Sequence, residues 1–239
     1  MNMSIAINTI SRLWKKSGVV DNISPSGSLP TEGSPMLITS EYVPSGGRGR
    51  FLLFLLLLCL PLSMSAQNTD KLYKEAKALY DAKNYTQAFP KLKTAAEKGH
   101  KKAQYRLGRC YEKGRGVTKD EAAAFQWYTK SAAQDYAKGQ YALGNCYKEG
   151  IGTAKDHKKA VEYFSKAAQN DNADAQYQLG KCYMKGKGIT ADSKKAASWL
   201  KKAVNNEKGG KDIVAKIRKK VAEGDEDAKT IMKLAGVKP

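Results

Sequence analysis

The sequence predicts an all-α solenoid of stacked helix pairs, and three observations carry that prediction. A ten-residue block, Leu107 to Gly116, returns as Leu143 to Gly152 and again as Leu179 to Gly188, shifted by 36 residues each time. A fixed period of about 20–50 residues marks supersecondary units that stack on their neighbours, each too small to close a core alone. Small and apolar residues keep helical spacing inside the period: Ala124, Tyr128 and Ala132 fall at i, i+4 and i+8, which stripes one side of a helix. Gly and Asp recur where such helices must stop and start.

The first 66 residues stand apart from this pattern. Residues 1–50 are rich in Ser, Gly and Pro and carry no sustained period, so they read as disordered. Residues 51–62 are a Leu-dominated run with Arg48 and Arg50 before it and Ser63-Met64-Ser65-Ala66 after it. A positive flank, a short apolar run and small closing residues make a secretory signal peptide over 51–66, with Gln67 as the mature end. The run falls short of the ~20 apolar residues that cross a membrane, so no span is expected in the mature chain. Signal peptides open their chains, so the expectation is that the first ~40 residues reflect a start assigned too far upstream, with Met36 or Val43 as the true start. Cys59 does not read as a lipidation site, because Leu58 precedes it and the apolar run continues past it.

Residues 67–99 read as a helix pair, Lys71 to Asn84 and Tyr85 to Lys98, turning at Lys83-Asn84-Tyr85. Pro90 lacks a backbone donor and is expected to kink the second helix or delay its start. Residues 100–204 are the repeats. Ala88, Ala124, Ala160 and Ala196 form one column, Ala96, Ala132 and Ala168 another, and Leu92, Tyr128, Phe164 and Leu200 a third. Lys91 departs from the aromatic series Trp127, Tyr163 and Trp199. Gly114 and Gly116 permit the positive φ of a sharp helix stop. Asp120, Asp156 and Asp192 stand where a carboxylate caps the next helix and opposes its dipole. Gly108, Gly144 and Gly180 fall mid-helix, where Gly costs about 1 kcal/mol against Ala, so each implies close contact with a partner helix. Residues 205–239 read as capping helices, with Ile213, Val214, Ile217 and Val221 on one apolar side and Ile231, Met232 and Leu234 on the next. End units must turn a polar face outward.

With these columns in place the pattern A-x-x-x-L-G-x-x-Y-x-x-G-x-G-x-x-x-D-x-x-x-A resembles the Sel1-like repeat, a relative of the tetratricopeptide repeat, over roughly residues 88–204. The resemblance implies a right-handed α-α superhelix that binds other proteins and has no cofactor. It also implies that the first helix of each pair lines the concave surface. Thr153 departs from the family's Val, where Val117 and Ile189 conform, and Gly139 departs from the Ala held by Ala103 and Ala175.

The formal charge is +19, of which +17 falls on residues 67–239, with 37 Lys+Arg against 20 Asp+Glu. That balance favours acidic partners, although a Lys-rich solvated face is the ordinary state of helical repeats. Two His residues leave little room for metal or acid/base chemistry, and both His100 and His157 read as surface residues. Cys110, Cys146 and Cys182 occur once per repeat. Equivalent positions one helix pair apart stand about 10 Å from each other, beyond the ~7 Å between Cα atoms that a disulfide spans, so they read as free thiols. The G-x-G elements follow helices rather than strands and are not phosphate loops. Ser198 and Lys201 fit S-x-x-K but lack the companion elements of penicillin-recognising enzymes.

If the first helices line the binding surface, the positions that vary between repeats should choose the ligand. Those are Arg106, Ala142 and Gln178, and the next column Arg109, Asn145 and Lys181. Tyr105, Tyr141 and Tyr177 recur, and are either core or an aromatic ladder in the groove. Arg and Tyr are favoured in binding sites for planar hydrogen bonding and rigid contact area. The sequence therefore reads as an exported monomeric adaptor, periplasmic or extracellular, for an acidic protein or peptide partner, without catalytic residues, cofactor or metal and with no nucleic-acid role. The alternatives are an enzyme or β-lactam binder of the cell wall using Ser198 and Lys201, and a binder of acidic polymers.

Overall fold

The computed structural model describes residues 68–238, and every regular element among them is a helix. The readings on residues 1–50, the 51–66 leader, Met36, Val43 and Cys59 lie outside the described residues. The order is α1 (68–81), α2 (Tyr85–Glu97), α3 (Lys101–Lys113), α4 (Glu121–Ala133), α5 (Ala137–Glu149), α6 (His157–Gln169), α7 (Ala173–Lys185), α8 (Ser193–Val204), α9 (Gly210–Ala222) and α10 (Glu226–Ala235). Each helix packs mainly on its chain neighbours, as a solenoid requires, and α10 folds back onto α8.

The punctuation works as its chemistry dictates. Gly114, Gly150 and Gly186 close α3, α5 and α7 in the left-handed conformation, with φ of 65°, 81° and 66°. The Asp120, Asp156 and Asp192 carboxylates each accept the third backbone N–H of the following helix, at 2.9 Å. Before each of these helices the Asp N–H bonds back to the motif tyrosine, Asp120 to Tyr111, Asp156 to Tyr147 and Asp192 to Tyr183. Pro90 neither delays nor ends α2. The helix starts at Tyr85 behind the Asn84 cap and runs through Pro90. The ring's missing donor would have met the Thr86 carbonyl, and Thr86 is exposed, so water can serve that carbonyl instead.

The mid-helix glycines are contact points. A Cβ on Gly108 would stand 2.6 Å from the Tyr128 ring, one on Gly144 2.7 Å from Phe164, and one on Gly180 2.7 Å from Leu200. The column Tyr128, Phe164 and Leu200 therefore lies directly on the facing glycine, and all three side chains are buried. Gly139 has a similar account: its missing methyl would meet the Ser131 hydroxyl at 2.4 Å. Ser131 replaces the Ala of its column, Ala95, Ala167 and Ala203, so the larger residue on α4 is matched by the smaller one on α5. The Ser131 hydroxyl donates to the Lys101 carbonyl at 2.8 Å, which satisfies it in the core.

Two seams join successive repeats. Gly152 sits against the Glu121 carbonyl and Gly188 against the His157 carbonyl, closer than any Cβ allows. The second seam is a buried amide series: Gln134 donates to Gln104 at 2.8 Å, Asn170 to Gln140 at 3.0 Å and Asn206 to Gln176 at 3.2 Å. Gln104, Gln140 and Gln176 are buried, and a satisfied buried network fixes one alignment where an unsatisfied one would be costly.

Candidate functional site

The sequence-predicted site residues sit on α3, α5 and α7, the first helices of the three repeats, but the structure divides them into two groups. At the amino-terminal end Arg106 is engaged inside the chain. Its guanidinium donates to the Tyr73 hydroxyl at 3.2 Å and to Asp81 at 3.1 Å, and lies 5.0 Å from the Tyr80 ring centroid. Its side chain is 17% exposed, so most of its donors face α1. Arg115 meets Tyr80 as well, donating to its hydroxyl at 2.7 Å. Arg109 is half-buried between the tyrosines of α3 and α4.

The recurring tyrosines belong to the packing between helices. Tyr105 lies 6.0 Å from the Tyr128 ring and 5.8 Å from Tyr136, and Tyr141 lies 5.9 Å from Phe164. Burial pushes the Tyr105 and Tyr141 hydroxyls above their usual pKa. Asn145 and Gln178 come together beside the Tyr141 hydroxyl. Tyr177 is fully buried in the carboxy-terminal core with Leu200, Ile213 and Ile217, and its hydroxyl has no hydrogen-bond partner among the described residues.

At the carboxy-terminal end Lys181 and Gln178 line a cavity of about 350 Å³. Its walls come from the end of α5, the start of α6, the exposed side of α7 and the loop after it. Five lysines border it, Lys148, Lys155, Lys181, Lys185 and Lys187, against one carboxylate, Glu149. Glu149 pairs with Lys148 at 2.9 Å, and Lys185 pairs with Asp227. Among the described residues no carboxylate forms an ion pair with Lys155, Lys181 or Lys187. Burial, followed by the charges of Lys220, Lys185 and Lys148, holds the Lys181 ammonium below the usual lysine range. Sequence reasoning found Lys181 and missed the other four lysines, because they lie on helix ends and loops outside the varying columns.

The remaining candidates are quickly placed. Cys110 and Cys146 are free and buried, and burial raises their thiols to about 11 and about 12. Cys182 is free, half-buried, and lines the lysine cavity. His157 is exposed, but His100 is not a surface residue: its side chain is 12% exposed. Its Nδ1 accepts the Ala103 N–H at 3.1 Å, capping α3, while Nε2 meets Asp70 at 3.0 Å and the ring stacks on Tyr73. Ser198 and Lys201 are both exposed on α8 with no hydrogen bond between them, so nothing there activates a nucleophile. No cluster of metal-ligating residues occurs among the described residues, and no helix among them is long and apolar enough to cross a membrane.

Helix pairs joined by αL glycines and Asp caps, repeated at one spacing around a small-residue core, define a helical-repeat solenoid. The repeat is of one known kind: residues 101–136, 137–172 and 173–207 match the Sel1 repeat, so the chain carries three Sel1 repeats in succession. It is similar to the Sel1 repeat protein from Oxalobacter formigenes, with 35% identity and a TM-score of 0.55 over 57% of this chain and 56% of that one. It is also similar to a protective antigen of uropathogenic Escherichia coli with the same repeat fold, with 27% identity and a TM-score of 0.55 over 70% of this chain and 38% of that one. It thus spans about half the length of the first and about two fifths of the second. No curated protein matches the chain. Sel1 repeats are in general protein–protein interaction modules and non-catalytic scaffolds.

Proposed function

We propose that this chain is an exported adaptor, acting in the periplasm or outside the cell as a monomer, that holds an acidic segment of a partner protein along the α3–α5–α7 face. The observation that carries this reading is the unpaired positive charge on that face: Lys155, Lys181 and Lys187 border one cavity without carboxylate partners. Like charges gathered around a half-buried ammonium repel one another, and an acidic ligand relieves that repulsion on binding. Gln178 adds a polar group in the cavity, Asn145 and Tyr141 supply polar contacts on α5, and Arg109 extends the basic face toward α3.

The test is fluorescence anisotropy of the chain with an Asp/Glu-rich peptide and its Lys/Arg-rich counterpart, at low and moderate salt. Binding of the acidic peptide that persists at moderate salt supports a built groove. Binding that collapses steeply with salt is the signature of counterion release and points to an acidic polymer instead. Export is tested separately by the intact mass of the native protein, expected to begin at Gln67. A mass that retains residues 1–50 removes the leader from the reading.

A further inference from the structure

We infer that the cavity between α5 and α7 is a binding site for a compact oxyanion of two or more negative charges, a phosphate or sulfate group. The inference rests on the same lysine cavity that carries the proposed peptide site, but it does not require that a peptide bind.

Size speaks first. About 350 Å³ lies at the small end of ligand pockets, which leaves room for a compact charged group. Charge speaks next. Five ammonium groups and one carboxylate line this space, and the ion pairs of Glu149 and Asp227 go to Lys148 and Lys185, with weaker pull from Glu149 on Lys155 and from Asp227 on Lys181. A single monovalent anion would leave most of that repulsion in place, whereas a doubly charged one offsets far more of it. The type of cation matters too. The cavity holds lysines and no arginine. Arg would offer a bidentate fork to carboxylate and phosphate alike, while the compact Lys ammonium binds phosphate as a point charge and accommodates a tetrahedral oxyanion from several directions. His157, the first residue of α6, also borders the cavity, so the positive end of that helix dipole adds to the potential. Asp156 caps the same helix end and offsets part of that potential.

Cys182 provides a readout inside the cavity. Its thiol lines the site and is half-buried, whereas Cys110 and Cys146 are buried. Alkylation of Cys182 by neutral iodoacetamide, followed by peptide mass mapping of the full chain, should slow about tenfold when inorganic phosphate stands near ten times its Kd. Sodium chloride at matched ionic strength, and acetate, should leave the rate unchanged. Methyl phosphate is the second arm: protection by phosphate alone identifies the free ion as the ligand, and protection by both shows that an esterified phosphoryl group also fits. The double variant Lys155→Gln/Lys187→Gln changes an exposed and a loop side chain, so it keeps the fold, which circular-dichroism melting verifies, and it should lose the protection. Protection no greater than chloride gives, or protection unchanged in that variant, overturns the inference. An acidic peptide that binds while phosphate fails to protect removes the oxyanion site and leaves the adaptor reading standing. Phosphate protection without peptide binding does the reverse.

Discussion

The two ends of the first-helix face carry similar charges and use them in opposite ways. At the amino-terminal end Arg106 spends its donors on Tyr73 and Asp81 and rests on Tyr80, which Arg115 covers from another side. At the carboxy-terminal end Lys155, Lys181 and Lys187 form no ion pair among the described residues and border one cavity. The difference lies in what the neighbouring elements offer. Helix α1 presents two tyrosines and an aspartate to α3, whereas the neighbours of α7 present further lysines, and the ion pair of Asp227 goes to Lys185. A basic residue at an equivalent repeat position is thus structural in one place and available in another.

The largest effect that can break this comparison is at Tyr80. Replacing this buried ring with Ala should cost about 3–5 kcal/mol, read as a lower urea midpoint, since Arg106, Arg115 and Tyr85 all pack on it. Arg106→Glu comes next. It should lower stability by about 1–3 kcal/mol by taking the donor from Tyr73 and setting a second carboxylate beside Asp81, which keeps Lys77, while acidic-peptide affinity changes little. A variant with an unchanged midpoint and lost binding would show that Arg106 belongs to the ligand after all. Lys181→Glu should do the opposite: peptide affinity falls about tenfold, or about 1.4 kcal/mol, and the urea midpoint holds or rises as repulsion from Lys220, Lys185 and Lys148 is relieved. The smallest effect is in pH. Burial holds the His100 pKa below its usual 6.5, so its contribution to stability is complete above that value. It is lost as pH falls through the lower folded value, when Nδ1 gains a proton and can no longer cap α3. Urea midpoints measured from pH 8 to pH 5 should show this loss, and His100→Asn, which keeps a capping oxygen as Asn172 does, should flatten it.

Much of the fold was legible because its determinants are local and repeated. Gly114, Gly150 and Gly186 close helices, Asp120, Asp156 and Asp192 open them, and Gly108, Gly144 and Gly180 mark close packing, against Tyr128, Phe164 and Leu200. The amide series was equally periodic, with Gln104, Gln140 and Gln176 spaced as the motif is. It escaped notice because buried glutamines look like surface residues until their partners, thirty residues on, are seen. The site was less legible. Variation between repeats marked Arg106 and Lys181 alike, and only the placement of α1 separates a satisfied cation from a free one. His100 was misread for the same reason: nothing near it in sequence shows that Tyr73 and Asp70 enclose it.

The two seams between repeats set a rule for how such a chain can change length. Each glycine hook and each buried amide pair joins one unit to the next with the same offset. Removing residues 137–172 as a block leaves Gln134 with Gln104 and Asn206 with Gln176, and it brings Gly188 to the carbonyl that Gly152 had covered. A cut of any other size strands a buried amide and drives a side chain into a backbone carbonyl. The array can therefore be lengthened or shortened by whole units with both seams kept, provided that Ser131, matched to Gly139, returns to the Ala of its column when it meets Ala175.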